Sequence, residues 1–324
     1  MVYAIRIHQA GGPEVMAWEE VTVPTLGPGQ VRIKQTAVGL NYIDVYHRTG
    51  LYPLELPVTL GLEGAGVVEE VGPDVSDLAV GDRVAYGAGP IGGYSEARIM
   101  PADRLVKLPD SIDDRTASAM MLQGMTVQYL IRRTYKVKQG DTVLFHAAAG
   151  GVGLIACQWL KALGVTTIGT VGSEEKAELA KAHGCTHTIN YRSENFVERV
   201  RELTDGAGVP VVYDSVGKDT WDGSLDCLAP LGMMVSFGNA SGAVTEFNPG
   251  ILAAKGSLFL TRPTLMNYVA KRSDLVATAN ELFEIVGSGA VKINVNQSYP
   301  LAEAAQAHRD LEARKTTGST VLVP

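Results

Sequence analysis

The residues best suited to chemistry form the glycine turn Ala147-Ala148-Ala149-Gly150-Gly151-Val152-Gly153, set between the apolar run Val143-Leu144-Phe145 and a helix-like run from Leu154 to Gly164. A strand that enters such a turn and leaves it as a helix aims backbone N–H groups and a positive helix end at a pyrophosphate; Gly150, Gly151 and Val152 would supply them. Measured against the spacing G-x-G-x-x-G, the residues Ala148 to Gly153 carry alanine in the first glycine's place. A second apolar run, Thr166 to Val171, follows at the distance a strand-helix-strand unit requires. Its tip, Val171-Gly172-Ser173 with Lys176 one turn later, lacks the carboxylate that NAD enzymes turn toward the adenosine ribose. A hydroxyl and an ammonium suit the extra phosphate of NADP, so NADPH is the expected cofactor. Glu174 and Glu175 read as acidic residues at a helix start, and His146 as a hydrogen-bonded core residue on an apolar strand.

These turns need a scaffold, and the hydrophobic patterning supplies one. From residue 1 to about 124 the signals are β-rich: Ala4 to Ile7, Gln30 to Lys34, Gly66 to Val71 and Asp82 to Tyr86 are short runs punctuated by glycine and proline, as in a twisted, barrel-like domain. One helical stretch is expected between Asp113 and Tyr135. Thereafter strands and helices alternate, with strands at Thr186 to Asn190, Pro210 to Asp214, Met233 to Phe237 and Ser257 to Thr261, the pattern of a doubly wound parallel sheet. Helices are expected near Asp274 to Val286 and Leu301 to Leu311. Ser319 to Val323 is a strand with no helix after it, so it returns to the first domain.

The fold class is therefore α/β, a Rossmann-type parallel sheet plus a β-rich domain, and 324 residues suit two cores. A net charge of −7 disfavours nucleic acid or an anionic membrane as a partner. The uncharged run from Val143 to Leu160 is interrupted by glycines, a histidine and a glutamine, and is not expected to span a membrane. Cys157, Cys185 and Cys227 are odd in number and widely spaced, as reduced thiols are, and Met1 to Arg6 reads as a strand, not a signal peptide. A cytoplasmic protein is expected.

The stretches Val38-Gly39-Leu40-Asn41-Tyr42-Ile43-Asp44, Gly61-Leu62-Glu63-Gly64-Ala65-Gly66, Ala147 to Gly153, Tyr213-Asp214-Ser215-Val216-Gly217 and Ser236-Phe237-Gly238-Asn239 resemble the medium-chain dehydrogenase/reductase superfamily. Within it, the chain is similar to the zinc-independent quinone oxidoreductases related to zeta-crystallin. The resemblance implies a GroES-like domain over 1–124 and 262–324 and a dinucleotide domain over 125–261. Zinc alcohol dehydrogenases of the superfamily carry a cysteine ligand where this chain has Asn41 and a histidine where it has Leu62. The first cysteine here is Cys157, too late for the structural-zinc lobe, so no metal is expected. Without a metal to polarise an alcohol, a quinone is the easier hydride acceptor.

The resemblance implies hydride transfer from NADPH to a quinone in an interdomain cleft, with one- and two-electron outcomes both open. A reductase of activated alkenes (enones, alkenals) and a crystallin- or RNA-binding-type protein retaining the NADPH site are the alternatives. It further implies that Asn41, Tyr42, Asp44 and Tyr46 line the active site with Tyr52 nearby, where a loop would present them. Asn41 would donate an amide hydrogen bond to a substrate or cofactor oxygen, and Tyr46 or Tyr52 would steady charge on a quinone oxygen. Thr126, Gly151, Val152, Ser215, Phe237, Asn239 and Arg262 would surround the cofactor, and Tyr191 and Arg314 would touch its adenosine phosphate. A homodimer is expected through strands around Ser257 to Thr261.

Overall fold

The computed structural model describes residues 1–324, which divide into two compact units: Met1–Met125, Tyr268–Gly287 and Ile293–Pro324 form one, Thr126–Asn267 and Ser288–Lys292 the other. The chain crosses from one unit to the other after Met125 and returns at Tyr268, and the short 288–292 segment joins the second unit.

The first unit is built on the long strand Gln30–Leu40. It pairs antiparallel with Glu63–Val71 along one edge, and along the other with Ala97–Pro101 and then Ser319–Val323. In the seven-stranded sheet the order runs Val295–Pro300, Ser319–Val323, Gln30–Leu40, Glu63–Val71, Arg83–Tyr86, Val106–Lys107. Alternation puts Val31 and Ile33 inward onto Val68, Val84, Met100 and Leu105. The C-terminal strand sets Thr320 opposite Leu40 and Val321 opposite Gly39, the return that a strand without a following helix implied. Val295–Pro300, parallel to it, had no sequence signal strong enough to name.

The expected helix between Asp113 and Tyr135 is broken into Asp114–Ser118, Met121–Tyr129 and a wide π-turn over Leu130–Thr134. Asp113 starts the first piece, its carboxylate accepting from Thr116 N at 2.7 Å. Gly124, in the second, lies so close to Leu282 that a Cβ there would come within 2.5 Å of that side chain. Burial of nearly every face, not one stripe, hid these breaks from periodicity.

The second unit is a six-stranded parallel sheet in the order His187–Asn190, Thr166–Val171, Thr142–Phe145, Val209–Asp214, Leu228–Ser236, Phe259–Thr261. In sequence terms this is 3-2-1-4-5-6, the doubly wound order with its switch point beside the strand that feeds the glycine turn. Leu144, Ile168, Ile189, Val212 and Met234 share one core across five strands. No helix is long and apolar enough to cross a membrane.

Candidate active site

In the second unit the glycine turn follows Phe145. Ala147 takes a left-handed φ of 55°, Gly150 is the extended N-cap, and the helix runs over Gly151–Ala162. Gly153 must be glycine, since a Cβ would lie 2.7 Å from Ala148 Cα. The alanine in the first glycine's place is accommodated from the neighbouring strand. Ala148 is fully buried, and a Cβ on Gly169 would sit 2.6 Å from the Ala148 methyl and 2.6 Å from Cys185 Sγ. The space the motif normally makes at its first position is made at Gly169 instead.

At the tip of the second strand, Ser173 caps the helix Glu174–Ala182, its Oγ accepting from Lys176 N at 3.3 Å. That leaves the hydroxyl proton to donate. The Tyr191 phenol stands over Gly172, where a Cβ would be 2.6 Å from its oxygen. Gly172, the Ser173 hydroxyl, the Lys176 backbone N–H and the Tyr191 phenol are thus brought together, and Glu174 is turned aside to accept from Asn190 Nδ2 at 2.7 Å. A glycine without side chain between the Ser173 hydroxyl and the Tyr191 phenol fits a phosphorylated adenosine. Arg314 belongs to the other compact unit, in a left-handed turn after the helix Ala304–Glu312.

Ser215, Phe237 and Asn239 lie at the carboxyl ends of two adjacent strands, and Asp214 organises them. It is fully buried; Oδ1 accepts from Val216 N (2.8 Å) and Gly217 N (3.0 Å), and Oδ2 from Thr220 Oγ1 and Ser224 Oγ (both 2.7 Å). Burial works against the anion, but His146 and these donors outweigh it and hold the carboxyl below its usual range. His146, 1% exposed, contacts Ser224 Oγ through Nε2 at 2.9 Å and Thr170 Oγ1 through Nδ1 at 2.8 Å, and burial keeps its pKa low. Because Ser224 gives its proton to Asp214, Nε2 carries the imidazole proton and Nδ1 accepts from Thr170. Phe237 N donates to Asp214 O, and Ala240 N to Ser215 O, zipping the two loops into one shelf. Arg262 reaches Ser236 O at 2.8 Å, below that shelf. Thr126 is buried in the helix Met121–Tyr129.

In the first unit Asn41, Tyr42, Asp44 and Tyr46 lie not on a loop but at the start of a helix, Tyr42–Thr49, with Asn41 as N-cap. Asp44, three residues on, accepts from Asn41 N at 2.9 Å and so closes the first turn. Asn41 Nδ2 donates to Glu63 Oε2 at 2.7 Å, and its Oδ1 accepts from Gln123 Nε2 at 3.1 Å. One amide proton therefore remains for a ligand oxygen. Glu63 is fully buried, its Oε1 accepting from Leu122 N at 2.8 Å; burial pushes it up to about 8 against hydrogen bonds that favour the anion. Gly39 leaves the room Glu63 occupies, because a Cβ there would overlap its carboxyl.

Asp44, expected to line the active site, is fully buried, raised to about 7 by burial, and engaged by Asn41 N and Tyr94 Oη, a placement that holds the Asn41 N-cap. Tyr42, Tyr46 and Tyr52 form a ring cluster, with centroids 5.7 Å apart for Tyr42 and Tyr46 and 5.2 Å for Tyr46 and Tyr52. Glu63, Gln123, Asp214 and Ser224 were not singled out from sequence as site residues; only the Glu63 carboxylate, left beside Leu62, carried a signal.

Two family models match the chain: the alcohol dehydrogenase GroES-like domain over residues 27–110, and the zinc-binding dehydrogenase model over 151–282. The quinone oxidoreductase of Pseudomonas aeruginosa is 57% identical, covering 100% of both chains. The 2-haloacrylate reductase of a Burkholderia species is 50% identical over 100% of this chain and 99% of its own. The crystal structure of Escherichia coli quinone oxidoreductase complexed with NADPH superposes with a TM-score of 0.98 at 50% identity, covering 99% of this chain and 100% of that one.

The zinc in the second model's description does not suit the donors present. Asn41 and Leu62 offer neither thiolate nor imidazole, Glu63 is committed to Asn41 and Leu122, and no three His, Cys, Asp or Glu side chains converge. Its fold, its glycine turn and its full-length identity agree: the chain belongs to the quinone oxidoreductase family of the medium-chain dehydrogenase/reductase superfamily.

Proposed function

We propose that this protein is an NADPH-dependent quinone reductase that works without a metal. The observation that carries the reading is the pair of hydroxyls, Ser173 and Tyr191, beside Gly172 in a chain 57% identical, end to end, to a quinone oxidoreductase. When bound, NADPH supplies two electrons as a hydride, and the quinone takes them with one proton from water to leave as hydroquinone.

The chain's own residues bind and orient. Gly151 and Val152 offer backbone amides at the start of a three-turn helix to the pyrophosphate, and Gly150, whose N–H closes the turn on Ala147 O at 2.9 Å, lets the chain approach it. Ser173, Lys176 and Tyr191 hold the 2′-phosphate, and the shelf of Ser215, Phe237 and Asn239, with Thr126 and Arg262, frames the rest of the cofactor. Asn41 directs its remaining amide proton to an acceptor oxygen. Tyr46 and Tyr52 donate to the charge that develops there, a preorganised stabilisation that needs no Lewis acid.

Reduction of an activated alkene is the second reading, and the Burkholderia 2-haloacrylate reductase, 50% identical over its length, supports it. NADPH and NADH oxidation across quinones and enones, with and without chelator, separates these. The expected result is NADPH-dependent quinone turnover indifferent to chelation. Loss on chelation refutes the metal-free mechanism, and tight NADPH binding with no acceptor turned over refutes the enzyme.

The same reading includes a cytoplasmic homodimer. Phe259–Thr261 is an edge strand with Phe259 57% exposed, beside Leu231 at 67%, an apolar edge suited to a two-fold copy. Light scattering that returns a monomer would exclude it.

A further inference from the structure

Behind the Tyr42–Thr49 helix lies a buried hydrogen-bonded chain that the hydride chemistry does not use. Arg48, 1% exposed, forks onto Glu312 with two bonds of 2.9 Å, and its NH1 also reaches His308 Nδ1 at 3.0 Å. A guanidinium has only donors, so Nδ1 accepts and the single ring proton sits on Nε2. His308 is fully buried, and desolvation pushes it down to about 3, so the ring is neutral at working pH. Nε2–H then donates to Tyr94 Oη at 3.1 Å, which leaves the phenol proton for Asp44 Oδ2 at 2.9 Å. That same Oδ2 accepts from Asn41 N, while Asp44 Oδ1 is buried without a hydrogen-bond partner. The hold on Asp44 therefore rests on Oδ2.

We propose that His308 and Tyr94 are positioning residues whose one-directional hydrogen-bond chain from Arg48 fixes Asp44 against the first helical turn and so aims the Asn41 amide. The aiming matters for turnover on the reading that Asn41 meets the acceptor. Arginine does not release its proton, so the chain orients and does not conduct. Four residues from 44 to 308 thus converge on the Asn41 backbone N–H, at the N-cap from which its side-chain amide projects.

The polarity can be tested by substitution. His308→Gln keeps the direction, with Oε1 accepting from Arg48 and Nε2 donating to Tyr94; His308→Leu and Tyr94→Phe break it. Leu and Phe variants should lose about ten-fold in kcat for a quinone, with the NADPH Kd within about two-fold of the parent, and His308→Gln should recover most of the loss. The Asn41 side-chain amide resonances should shift in the Leu and Phe variants and stay in place in the Gln variant. Equal losses in His308→Gln and His308→Leu, or unchanged kcat and resonances in Tyr94→Phe, would overturn the proposal. Tyr94→Phe retains the ring and serves if His308→Leu fails to fold. The resonances need no turnover, so a parent that reduces no acceptor overturns the quinone reading and leaves the positioning to be decided by them.

Discussion

Gly169 should tolerate alanine only when Ala148 gives way. In the folded chain the added methyl would meet Ala148 Cβ and Cys185 Sγ, each at 2.6 Å, against about 3.5–4.0 Å for a comfortable carbon contact. Overpacking of this kind costs about 1–3 kcal/mol. Ala148→Gly alone removes a buried methyl, about 0.8 kcal/mol, and adds backbone freedom worth roughly 0.5–1 kcal/mol. In the double variant Ala148→Gly/Gly169→Ala one of the two clashes is gone, and Cys185, with only its terminal sulfur to move, can turn aside. The double variant should then be more stable than the sum of the singles by about 1 kcal/mol, well outside the roughly 0.3–0.5 kcal/mol of independent sites. Urea denaturation of the four proteins measures the cycle, and NADPH titration reports whether the turn has kept its shape. An additive cycle, or a neutral Gly169→Ala, would refute the exchange of glycine between the two positions.

Asp214→Asn replaces an acceptor of four hydrogen bonds with a group that can accept at only one end, and should cost about 1–3 kcal/mol. If the shelf it holds is the proposed cofactor site, the Kd for NADPH should rise about ten-fold with little change in quinone KM, and an unchanged Kd would count against the shelf. Lys176→Ala should raise the KM for NADPH and leave that for NADH alone; equal effects on both would remove the lysine from the phosphate site. The share of stability that Glu63 and Asp44 carry should fall as pH rises. Glu63 and Asp44 are raised by burial to about 8 and about 7, so their neutral forms favour the folded state below about pH 4 and that advantage is lost as pH climbs through 7 to 8. His308, lowered to about 3, acts oppositely, adding stability as pH rises from 3 to 6.5. The three together leave the folded state about one proton richer between pH 5 and 7, on the order of 1 kcal/mol lost per pH unit. Glu63→Gln should flatten that slope, and an identical slope in parent and variant would show that the carboxyl is already ionised.

What the sequence made legible was local. The glycine turn, the alternating strands of the parallel sheet and the C-terminal return each announce themselves within a dozen residues, through periodicity and turn chemistry. The helix Tyr42–Thr49 was missed because its signal is a cap, Asn41 with Asp44 three residues on, in a segment too short for periodicity to speak. The Asp44 side chain looked chemical for the same reason, since nothing in one dimension distinguishes a carboxylate facing a substrate from one closing a turn. Gly169 was invisible until the two strands were placed side by side. The hydrogen-bond chains lay further out of reach: Arg48 and His308 are separated by 260 residues, Asn41 and Gln123 by 82, and tertiary structure alone brings them together.

The return of Ser319–Val323 to Gln30–Leu40 also sets a timetable for synthesis. The last three residues of that strand, Val38 to Leu40, receive the C-terminal partner only when Thr320 to Leu322 arrive, about 280 residues later, which at ~5–20 residues per second is roughly 15–60 s of translation. Every strand of the parallel sheet has been made by then, since it ends at Thr261. The dinucleotide unit can therefore begin to fold on the ribosome, while the segment leading into Asn41 waits with part of one edge unpaired, open to mispairing until the last strand is made.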